Sequence, residues 1–89
     1  MKKLVYVEWV DACSPGSTSW MNEDDVEDFS KNPWVIQDSG FVFSETKQYL
    51  ILYGGNSKEN EEYETYYHRI IKIPKACIIK RIDLTRHIK

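Results

Sequence analysis

Over residues 4–10, Val5, Val7 and Trp9 share one parity, and Tyr6 and Glu8 share the other. That is the period of a strand with one buried face. The period changes at residues 22–29. Asn22 is a good N-cap, and Glu23, Asp24 and Asp25 occupy a first turn, where the helix dipole favours negative charge. Val26 and Phe29 lie three apart, so they share a face. The pattern predicts a short helix that Pro33 ends. Trp34-Val35-Ile36 resumes extended chain, and Gly40 predicts a bulge or sharp bend in it. Two apolar runs, residues 41–44 and 48–53, flank the polar stretch Glu45-Thr46-Lys47 and predict the clearest hairpin of the chain. Residues 63–73 read as a further strand closed by Pro74, and residues 77–82 as the last strand. Gly54-Gly55-Asn56 predicts a turn that opens onto an acidic loop over residues 56–64. Residues 13–19, with Pro15 and Gly16, predict a second loop.

About five short strands, one small helix and close turns predict a mainly β chain. The expected architecture is a compact five-stranded antiparallel barrel, SH3-like or OB-like and partly closed, since closure removes sticky edges. A two-layer α+β arrangement is the alternative. Eighty-nine residues, 42% hydrophobic and 29% charged, fit one globular domain spanning residues 1–89. No apolar run is long enough to cross a membrane as a helix. Glu8 cuts short the apolar run near the N-terminus, which makes a poor secretion signal.

Charge adds an asymmetry. The first 66 residues hold 13 of the 14 acidic residues, and the last 23 hold 7 of the 12 basic ones. A basic end on an acidic body reads either as an anion-binding edge or as solvated faces that keep strands apart.

Catalytic chemistry finds little support. Cys13, Cys77, His68 and His87 are isolated, without the paired spacing that zinc requires. Cys77 lies in an apolar context, where a thiol behaves as a small hydrophobe. Glu8 and Asp11, beside Trp9 and Val10, are the carboxylates whose surroundings could raise a pKa. Gly54-Gly55 lacks the Lys and Ser/Thr of a phosphate loop. No metal, cofactor or enzymatic activity is expected. Binding is better supported. Tyr66, Tyr67, His68, Arg69, Lys72 and Lys75 interleave rings and cations, as a platform for single-stranded nucleic acid would. A pI of about 5.6 weakens long-range attraction to a phosphate backbone. A small anionic ligand needs only two or three cations and a ring such as Tyr66 or Trp20.

The order Val7-Glu8-Trp9-Val10-Asp11, then Trp20, Ser39-Gly40-Phe41-Val42 and Ile73-Pro74-Lys75-Ala76-Cys77-Ile78 resembles a broad set of small bacteriophage and prophage proteins. They share a Trp-x-Asp first strand, a second Trp after a short loop, and a closing Pro-Lys-x-Cys-Ile strand. Trp9, Asp11, Trp20 and Lys75 match that pattern. The resemblance implies a phage origin, action in the cytoplasm of a bacterial host, and no known reaction.

The expected function is therefore a non-enzymatic binding protein that inhibits or sequesters a host component, by analogy one of antiphage defence. Its target would be a protein surface or a nucleotide-derived signal. The expected binding residues are Trp9, Asp11, Trp20, Trp34, Tyr66, Arg69, Lys72 and Lys75. A single-stranded nucleic-acid module of phage replication is the second reading. An aromatic sheet face on so small a domain also makes a homo-oligomer an expected partner.

Overall fold

A computed structural model describes residues 2–13, 20–58 and 61–85. The elements are β1 (Leu4–Asp11), α1 (Glu23–Ser30), β2 (Trp34–Glu45), β3 (Tyr49–Tyr53), β4 (Gly55–Asn56), β5 (Tyr67–His68), β6 (Ile71–Pro74), a 3-10 turn (Lys75–Cys77) and β7 (Ile78–Asp83). Five strands form one antiparallel sheet in the order β6-β3-β2-β1-β7, and β4 pairs with β5 separately. The edge strands β6 and β7 are consecutive in the chain, joined only by the three-residue 3-10 turn. A flat sheet could not satisfy so short a link. The sheet curls until its two edges approach, a partly closed barrel as the sequence predicts. Its connectivity is the SH3-like one: a meander of four strands, then a fifth on the free edge of the first.

The inner face is built by parity. Val5, Val7, Leu50, Leu52 and Ile73 are fully or almost fully buried, and Trp9, Val42, Ile71 and Ile78 pack around them. The alternation across β1 comes out as expected. In α1, Asn22 Oδ1 accepts the Asp25 N–H at 2.8 Å. No residue of that helix is buried, so it forms no second layer on the sheet and the α+β alternative does not hold. The 46–48 turn is fixed by Thr46, whose Oγ1 accepts the N–H groups of Gln48 and Tyr49 at 3.1 Å each.

Four local expectations change. Gly40 does not bend β2, which runs unbroken through it; the irregularity lies between Val42 and Ser44. Residues 63–73 are not one strand, because Arg69 takes a left-handed backbone (φ 54°) that breaks β5 from β6. Gly55 and Asn56 form β4 instead of lying in a turn, and Cys77 ends the 3-10 turn instead of opening β7. Most of the predicted 13–19 loop and the tail at 86–89 lie outside the described residues.

One carboxylate ties the barrel's corner. Glu45 ends β2, and its carboxylate receives Arg81 of β7 in a two-pronged contact at 3.0 and 3.1 Å and Lys75 of the 3-10 turn at 2.8 Å. Hydrogen bonds from these two cations hold the Glu45 pKa down to about 2, from an ordinary 4.5. A depressed carboxylate stabilises the fold fully above its ordinary pKa, and the contribution fades as pH falls toward the folded value. With about a third of its side chain exposed, Glu45→Gln should cost about 1–2 kcal/mol at pH 7 after allowance for solvent screening. Urea unfolding should show that difference shrinking between pH 4.5 and 2. A constant gap across this window would mean that the ion pairs contribute nothing.

Candidate functional site

Two concave features lie at the end of the barrel where β3 meets the β4–β5 hairpin. The first is an aromatic slot on the outer face. The β-bulge after Val42 lets Phe43 turn outward beside Tyr53, and Tyr67 folds over both from β5. Ring centroids of Phe43 and Tyr67 stand 5.1 Å apart, and those of Tyr53 and Tyr67 4.9 Å, all edge to face. Tyr53 is buried, whereas Phe43 is 56% exposed and Ile70 62%. Together with Ile51 these residues enclose about 170 Å³. That is room for one ring and not for a drug-sized ligand.

Two cations are neighbours of slot residues, although neither lines the slot itself. Lys72 stands opposite Ile51 in the β3–β6 register, and its ammonium lies 4.2 Å from the centre of the Tyr49 ring. Arg69 immediately precedes Ile70, and its guanidinium lies against Gly54, donating from Nη2 to the Gly54 carbonyl at 3.4 Å. A side chain at Gly54 would meet Arg69 Nε at 2.6 Å, so only glycine admits this contact. Holding a non-glycine residue in the left-handed region costs of order 1–3 kcal/mol, and such strain clusters at functional sites.

The second feature is an open notch of about 640 Å³ beside the slot, sharing Tyr53 and Ile70 with it. Asp38, Gly40, Leu52, Gly54 and Arg69 also line it.

The eight expected binding residues do not converge. Arg69 lines the notch beside the aromatic slot, and Lys72 stands opposite the slot residue Ile51 with its ammonium over Tyr49. Lys75 is engaged with Glu45. Trp9 packs against the core, and its indole N–H donates to Asp38 Oδ2 at 2.9 Å. Tyr66 is exposed in the loop before β5, where its carbonyl accepts the Ser57 N–H at 2.8 Å and its N–H donates to Ser57 Oγ at 2.9 Å. Asp11 and Trp34 face each other across the far end of the β1–β2 ladder. Seven register steps separate that pair from Leu4–Phe41, about 23 Å at strand spacing. Trp20 is fully exposed, and Trp34 shares a shallow apolar pocket with Cys13, Phe29 and Asn32. Of the slot's own rings, Tyr67 belongs to the run of rings and cations that the sequence marks, whereas Phe43 and Tyr53 carry no such mark; they meet it only through the strand pairing and the bulge after Val42.

Glu8 is no raised acid. The Tyr6 hydroxyl donates to Glu8 Oε2 at 2.5 Å, and Gln37 donates to that hydroxyl at 2.9 Å. This bond lowers the Glu8 pKa and raises that of Tyr6. Among the described residues no cluster of His, Cys, Asp and Glu could hold a metal ion, and no helix is long and apolar enough to cross a membrane. Comparison with family models, with curated proteins and with solved structures gives no match.

Proposed function

We propose that the protein is a non-enzymatic binding module for a small ring-bearing anion of the nucleotide class. The ring rests in the slot against Phe43, Tyr67 and Ile70, and the phosphate is held by Arg69 and Lys72, whose long side chains turn toward it on binding. The observation that carries this reading is a ring-sized aromatic slot that adjoins a notch lined by Arg69, a residue held in a left-handed backbone. Stacking a base on an aromatic ring contributes about 1–3 kcal/mol, and a guanidinium pairs with phosphate by two parallel hydrogen bonds. The resemblance to small phage proteins extends the proposal: the ligand is a nucleotide-derived signal of a bacterial host, and the protein acts in the host cytoplasm by sequestering it.

Calorimetric titration of the full chain with AMP, ADP-ribose, a cyclic dinucleotide and oligothymidylate tests this. At least one mononucleotide or dinucleotide should bind. Tyr67→Ala and Arg69→Gly should each weaken that binding by about tenfold or more. Arg69→Gly should leave thermal stability unchanged or higher, because glycine adopts the left-handed conformation without strain. Silence toward every nucleotide would sink the reading. Affinity that rises steadily with oligothymidylate length and collapses in salt would replace it with the single-strand alternative.

A further inference from the structure

The ladder between β2 and β3 stops at Phe41–Tyr53, whereas β2 continues to Trp34 paired only with β1. Among the described residues, then, 34–40 of β2 have no strand paired on the side away from β1. The Val42 N–H donates to the Lys3 carbonyl on the β1 side, and backbone groups alternate in direction along a strand. It follows that Val35, Gln37 and Ser39 turn their N–H and C=O groups toward that edge. An unpaired edge of this kind is a template for another strand. The same stretch exposes Trp34 (58%) and Val35 (41%), and the notch beside Arg69 opens at its end.

We propose that a second copy of this chain covers the edge, β2 against β2, about a two-fold axis through Gln37. The register argues for a copy of itself. Centred on Gln37, antiparallel self-pairing sets Val35 opposite Ser39, Ile36 opposite Asp38 and Trp34 opposite Gly40. All three outward-turned residues find partners, and no like charges face each other. Moving the centre by one residue places Pro33, which has no N–H, opposite Ser39, or places Asp38 opposite its own copy. In the chosen register Pro33 falls opposite Phe41, whose edge Tyr53 already occupies. Pairing thus ends where both strands run out of partners. The two-fold keeps each strand's inner residues on the same side, so Trp34 of the second copy reaches the mouth of the notch beside Arg69 and Ile70. There its ring face meets a guanidinium. Trp34, remote from the notch within one copy, then borders the notch of the other. This assembly stands whether or not the slot binds a nucleotide.

Light scattering after size exclusion tests it on the full chain, whose mass is 10.5 kDa. Twice that mass is expected. Ser39→Pro removes one edge N–H without touching the β1 ladder and should shift the chain to the monomer mass while circular dichroism stays β-rich. In a Cys13→Ser, Cys77→Ala background, a short bismaleimide should link Gln37→Cys into dimers and leave Lys47→Cys, at the far turn, unlinked. If Ser39→Pro fails to fold, the cross-linking decides. A monomer at high micromolar concentration would overturn the proposal. So would a folded Ser39→Pro dimer, or equal linking at both positions.

Discussion

Leu50→Ala is expected to lower the free energy of unfolding by about 2–5 kcal/mol, the range for deleting a buried leucine. Leu50, the second residue of β3, is completely buried between Glu45 of β2 and Ile73 of β6. Among the described residues only five side chains form the buried cluster, so the neighbours have little material with which to fill the void. A chain of this length is held by roughly 4–13 kcal/mol in total. Truncation at Leu50 thus removes a large share and should bring the urea midpoint down sharply with an unchanged m-value. A loss below about 1 kcal/mol would mean that the barrel collapses onto the gap, and that the inner face is less tightly packed than described.

Gly40→Ala should cost about 1–3 kcal/mol, the range for overpacking. A methyl group there would stand 3.0 Å from the Tyr53 carbonyl oxygen and 3.2 Å from Leu52 Cβ. Both neighbours belong to β3, and the oxygen is backbone, so relief requires moving a strand rather than rotating a side chain. Thermal unfolding should fall by several degrees or more, since each kcal/mol is worth roughly 4–8 °C in a domain of this size. Tyr53 also walls the aromatic slot, so the shift should disturb it as well: Gly40→Ala should weaken nucleotide binding although residue 40 does not line the slot. An unchanged melting temperature would show that β3 gives way without cost.

Gly40 also shows how far the sequence could be read. A glycine inside a strand signals either a bend or a close approach, and the pattern alone does not separate them. Here β3 passes close over it, and the pairing with β1 continues through it without a break. The alternation of Val5, Val7 and Trp9, the 41–53 hairpin and the Asn22 cap were legible because each depends on residues near in sequence. The break at Arg69 was not, since nothing in Tyr67-His68-Arg69-Ile70 marks a non-glycine residue for the left-handed region. The site was half legible for a related reason. Charge clustering pointed to Arg69 and Lys72, but the rings of the slot come from β2, β3 and β5, and only strand register brings those together. Lys75 shows the converse: it lies in the same basic run but is drawn to Glu45, thirty residues earlier.

The order of the strands sets how this chain must find its fold. β1 takes β2 on one side and the last strand, β7, on the other. Leu4 donates to the Thr85 hydroxyl across 81 positions of chain. Local hairpins can zip quickly, but the final seam waits for a large loop to close before any contact repays that entropy. Topologies dominated by such distant pairings fold in milliseconds to seconds, far slower than helical bundles. During that interval β1 has one flank bare, so the newly made chain is most prone to aggregation in the moments before its last strand arrives.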